Sequence, residues 1–124
     1  MKLRQFSVSV DTTGGDGAAT GSGTIAIPMV GYVEWVHINY HATAPNTTDV
    51  TVAYGATLPG GNVLAKANSA TDALFFPRAT CVDSAAAAIT DSHEKFAVAG
   101  DLTVTVGGCN ALTGAVVVTV AVSG

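Results

Sequence analysis

Three histidines, nine carboxylates and two cysteines are the side chains of this 124-residue chain best equipped for chemistry, and their spacing decides which chemistry is open to them. His37 and His41 stand four apart, a spacing that on a helix offers two metal ligands on one face. The residues around them alternate as a strand does, and on a strand two such side chains share a face but lie roughly 13 Å apart, too far to share an ion. Both are expected to face solvent or an interface. His93 lies in "DSHEKF" beside Asp91 and Glu94; a metal cluster would use these residue types, and a polar loop accounts for them equally well. No metal and no other cofactor is expected.

Nucleophilic catalysis requires a Ser or Cys held by a His that an acid orients. No serine sits in a G-x-S-x-G elbow, and "TCVDS" around Cys81 has no adjacent histidine. None of the carboxylates has the context of a glycosidase pair. The expectation is a protein that is not an enzyme, with no catalytic residue to nominate. "GGDGAATGSG" lacks the Lys-Ser/Thr ending of a phosphate loop and reads as a flexible connection. Trp35 could stack on a sugar, which keeps a carbohydrate-binding reading open, although Tyr32, Tyr40 and Tyr54 fall on expected core faces. Cys81 and Cys109 could close one disulfide worth roughly 3 kcal/mol. Without an export signal, the simpler reading is two thiols acting as small apolar fillers. The "NTT" at Asn46 matches a glycosylation acceptor only by chance on the same ground.

The composition points to contact and not to chemistry. Charged residues make up 11 % of the chain and hydrophobic ones 48 %, against about 25 % charged in an ordinary soluble domain. Mean hydropathy is +0.43. From Phe96 to Gly124 the only charged residue is Asp101, so the C-terminal part lacks the charges that usually keep strands from pairing with strangers. Net charge is −4, and Lys2, Arg4, Lys66, Arg78 and Lys95 form no run. A nucleic-acid partner needs clustered cations to displace counterions, so none is expected. "MKLRQFSVSV" is not followed by a continuous apolar segment of the signal-peptide kind. No stretch approaches the roughly 18 apolar residues of a membrane-spanning helix. A soluble, unexported product with no membrane partner is expected.

Positioning falls to strands. Apolar residues recur at every second position in "FSVSV", in "YVEWVHINYHA" (32–42), at Val50, Val52 and Tyr54, in "DLTVTV" and in "AVVVTVAVSG". In 32–42 the even positions Tyr32, Val36, Ile38 and Tyr40 read as core, which leaves Glu34 misplaced unless it sits near the strand's end or at a bulge. The segment 11–23 reads as a glycine-rich loop and 24–27 as the strand after it. "TLPGGN" reads as a turn, and 62–67 and 73–76 as weaker strands. Ala85 to Ala88 are strong helix formers but too few to nucleate a helix, so "DSAAAAITDS" is expected to be a loop or single turn. The last strand has Val116, Val118, Val120 and Val122 on one face; the other, Val117, Thr119, Ala121 and Ser123, is small enough to be packed on by another chain. Short strands separated by Gly, Pro, Asn and Asp clusters imply one all-β domain over 1–124, an antiparallel β-sandwich of jelly-roll-like form.

The second half, with "PRA" after an aromatic strand, a small-residue turn leading to "IT", then "VAGDLTVTV", a Gly-rich turn and "TGAVVVTV", resembles structural proteins of tailed bacteriophages. "GYVEWVHINY" fits the same pattern, so the likeness runs from about Thr24 onward. These short chains look like capsid decoration, or cement, proteins. The resemblance implies a virion protein made in the host cytoplasm and seated as a homotrimer on the outer capsid surface, with the major capsid protein as partner. It brings no catalytic, cofactor or metal residues. A head-fibre or tail-associated module, or a sugar-binding one, stays open beside it.

Overall fold

The computed structural model describes residues 2–55 and 61–124. Eleven strands occur among them: β1 (Leu3–Val10), β2 (Ala19–Ile25), β3 (Val30–Tyr40), β4 (Asp49–Tyr54), β5 (Asn62–Lys66), β6 (Ala73–Phe75), β7 (Arg78–Val82), β8 (Ala88–Lys95), β9 (Ala97–Ala99), β10 (Leu102–Cys109) and β11 (Val116–Ser123). The Pro59–Gly60 turn expected from the sequence lies outside the described residues.

Two sheets form the body. One runs β1-β11-β3-β6, with β9 also on β3; the other runs β2-β10-β4-β5. Every pairing is antiparallel. The links β1–β2, β2–β3, β3–β4, β5–β6, β9–β10 and β10–β11 each cross from one sheet to the other, so consecutive strands interleave as two Greek keys. The architecture is a single-domain antiparallel β-sandwich of jelly-roll form, as the alternation predicted. β7 and β8 stand apart as a two-stranded hairpin inserted between β6 and β9.

The period-2 pattern explains why the sandwich closes. Val116, Val118, Val120 and Val122 of β11 and Val36 and Ile38 of β3 are buried facing the other layer, where Val50 and Val52 of β4 and Leu102, Val104 and Val106 of β10 are equally buried. Each such side chain removed from water contributes about 1.5–3 kcal/mol, and alternate residues reach the interface without any change of backbone.

β3 departs from the expected phase at Glu34. Ala121 pairs with Trp35 and Val122 with Val33, so Glu34 is an extra residue opposite one step of β11. The bulge resolves the misplaced acid and inverts the face before it. Val33 and Gly31 are buried, whereas Tyr32, expected in the core, is 51 % exposed. Tyr40 is buried and Tyr54 half-buried, as their positions required.

Two other expectations are corrected. The glycine-rich loop does not extend to residue 23, because β2 begins at Ala19. Its glycines let β1 cross close: a Cβ on Gly21 would strike the Asp11 carbonyl, and one on Gly23 would come within 2.8 Å of Val8. What remains of the loop is tied down. Gly114 N donates to Asp11 Oδ1 at 2.7 Å, Thr12 Oγ1 to Asn110 O at 2.6 Å and Gly17 N to Asn110 Oδ1 at 2.9 Å. The second correction concerns β11, whose far face is not free along its length. β1 and β3 flank both edges, and Ala121 and Ser123 are buried within the chain while Val117 and Thr119 are half-buried.

Candidate interaction surface

The residues with chemical potential are dispersed. His37 lies on the outer face of β3 beside Thr119 and Leu74. His41 follows the strand, and its Nδ1 accepts from Thr43 N at 3.1 Å. His93 is not in a loop but within β8, paired with Thr80 of β7. Among the described residues no three His, Cys, Asp or Glu side chains gather as a metal site would require. Cys81 on β7 is half-buried, Cys109 on β10 is buried, and both are free thiols. A depression of about 240 Å³ between β4 and β5 is lined by Asp49, Val50, Thr51, Ala65, Lys66 and Ala67. Asp49 is already engaged there, its Oδ1 accepting from Asn68 N at 2.9 Å. Burial pushes the phenols of Tyr40 and Tyr54 above their ordinary values, so they stay neutral packing groups.

The feature the sequence did not announce is the β7–β8 hairpin, an arm leaving the sheet edge. Its tip is built by the alanine run as a turn. Asp83 Oδ1 accepts from Ala85 N at 2.8 Å and Ala87 N at 3.0 Å, and Ala86 takes a positive φ of 63°. Further in, Thr80 pairs with His93 but Val82 pairs with Ala88, so several β8 residues bulge out opposite Cys81, with Asp91 at φ 59°. Both faces of the arm meet solvent along most of β8. That is why no apolar alternation marks this strand in the sequence.

The arm's root is held by one carboxylate. Lys95 Nζ donates to Glu34 Oε2 at 2.8 Å, the Ser123 hydroxyl donates to the same oxygen, and Arg78 Nη1 donates to the Glu34 carbonyl at 3.3 Å. Arg78 and Lys95 are register partners, so both strands of the arm are tied to the β3 bulge. The hydrogen bond from Lys95, then that from Ser123, holds the Glu34 carboxyl below its ordinary value against the opposing effect of burial.

Among the described residues, four of the seven exposed large apolar side chains lie on or next to this arm, the others being Val30 and Tyr32 on β3 and Leu3 on β1. Val82 is 56 % and Ile89 44 % exposed on the arm itself; Phe76, at 61 %, and Leu74, at 48 %, lead into it. Trp35 is half-buried on the outer face of β3, one pairing step from the β6 contact. Large apolar side chains left in water together mark a surface made for contact.

Compared with known proteins, the chain matches no family model, no curated protein and no solved structure.

Proposed function

We propose that this protein is a virion structural protein, a decoration or cement protein that binds the outer surface of an icosahedral bacteriophage capsid and stabilises it, with no enzymatic role. The single observation that carries this reading is the arm. A two-stranded hairpin is marginal in water by itself, and this one leaves Val82 and Ile89 uncovered, so its stability and its apolar surface both call for a partner. The resemblance to tailed-phage structural proteins supplies the partner, the major capsid protein with sister subunits around a homotrimer. The jelly roll is also a fold of viral shell proteins, although a fold alone does not assign a function. Apolar burial at about 25 cal/mol per Å² over a modest footprint suffices when many copies act together on one shell.

Co-sedimentation tests it. The protein mixed with phage heads that lack their decoration is expected to pellet with them and raise the temperature at which they open; protein left in the supernatant overturns the reading.

A second reading, a carbohydrate-binding or fibre-associated module on the virion, is favoured by the half-exposed Trp35 and exposed Tyr32 of β3, with exposed Phe76 just after β6. Retention on a glycan resin that is lost in Trp35→Ala would establish it.

A further inference from the structure

The sheet β1-β11-β3-β6 has two unlike ends. One end sends out the arm. The other is the outer edge of β1, where among the described residues no further strand pairs with Leu3 to Ser7, while β2 crosses near Val8, Val10 and Asp11. Unpaired N–H and C=O groups on such an edge form a template for another strand. The edge is also apolar and basic: Leu3 is 50 % exposed, and Arg4 is exposed with its guanidinium 5.2 Å from the Phe6 ring centroid. Neither Lys2 nor Arg4 has a carboxylate partner among the described residues, where Lys95–Glu34 is the ion pair found.

The arm has the opposite character. Between Arg78, which donates to the Glu34 and Pro77 carbonyls, and Lys95, which pairs with Glu34, it carries Asp83, Asp91 and Glu94 and no Lys or Arg. Ile89 and Val82 stand exposed among these acids. An acidic hairpin with apolar residues thus matches a basic open edge with an apolar residue. Within one chain the two stand at opposite edges of the sheet, roughly 14 Å apart over three strand spacings, and the arm touches the body mainly at β3.

We infer that the acidic β7–β8 arm of one copy docks on the open, basic β1 edge of a second copy of this chain. Each copy then gives an arm and receives one, a heterologous contact whose rotation closes a small assembly and hides the edges that would otherwise polymerise. The contact adds backbone pairing to a row of opposed charges, so it weakens with salt. It concerns only copies of this chain and holds with or without a shell.

The test is mass by light scattering after size exclusion, over a range of concentrations, on the full chain and three variants. Lys2→Glu with Arg4→Glu reverses the edge, Asp91→Lys with Glu94→Lys reverses the arm, and the third variant carries all four changes. The unmodified protein is expected to associate, and each reversed pair to weaken association by about tenfold or more through facing like charges. The fourfold variant should regain most of it. A monomer up to about millimolar concentration, reversals that leave the mass unchanged, or a fourfold variant no better than the pairs would each overturn the contact. If a reversed pair loses its far-ultraviolet circular dichroism, Lys2→Gln with Arg4→Gln reads the same edge by the same criterion. Head binding is scored separately: a monomer that still pellets with heads sinks this contact alone, and an associating protein that ignores heads sinks the capsid reading alone.

Discussion

Lys95 Nζ at the end of β8 lies 2.8 Å from Glu34 Oε2 on the β3 bulge, and this pair fixes where the arm points. The extra residue in β3 turns an acid outward just where the hairpin leaves the sheet. A regular strand would have driven that acid into the core together with Tyr32, which shares its phase.

Replacing Glu34 by Gln keeps the shape and removes the charge. Amide hydrogen exchange across β7 and β8 is expected to rise severalfold while the sandwich strands β10 and β11 keep their protection. Because Lys95 is 39 % exposed, the pair is partly screened and global stability should fall by no more than about 1 kcal/mol in urea unfolding. Unchanged exchange in the arm would remove Glu34 from its role as anchor.

Acid should release the arm in the same way. The Glu34 carboxyl titrates below its ordinary value of 4.5 in the folded protein, so its contribution is fully present above that ordinary value and disappears as pH falls through the lower folded one. Hydrogen exchange of the arm compared at pH 7 and at about pH 3 is expected to show this loss, and Glu34→Gln should show little further change over the same interval.

Ala121→Asp and Val117→Asp separate the two ends of the outer face of β11. Ala121 is fully buried, so a carboxylate there has no water and no partner and should cost about 3 kcal/mol or more. Val117 is half-buried, and its replacement should leave the protein folded with a smaller loss. Urea midpoints that fall equally would contradict the packing described.

Gly21→Ala tests the crossing of β1 over β2. Its new methyl group would meet the Asp11 carbonyl, and the backbone must shift, with a destabilisation expected at about 2 kcal/mol or more. Gly15→Ala meets nothing within 4 Å and is expected to be nearly neutral. Thermal unfolding of the two proteins side by side reads the difference.

Strands were legible where one face is buried and the other is not. In β4 and β10, Val50, Val52, Leu102, Val104 and Val106 alternate with threonine, alanine or other small residues and bury at the predicted positions, because the pleat sends successive side chains to opposite sides. Glu34 was legible as a conflict, an acid in a core phase, and the bulge is the resolution that the sandwich adopts. The part of β2 from Ala19 to Gly23 was hidden because its glycines answer to a crossing strand, a contact between residues distant in the chain. β8 was hidden because a hairpin in solvent has no buried face and hence no period.

The residue order by itself determined an all-β chain, one domain, a valine-rich two-layer core and a surface poor in charge, since each follows from local alternation and composition. Only the tertiary structure decided that β11 lies between β1 and β3, that the acidic hairpin stands off one edge while the basic edge lies opposite, and that Lys95 meets Glu34 across sixty-one positions. Those relations depend on which strands become neighbours, and strand pairing is settled by closing the whole sandwich at once, a condition no single stretch of residues contains.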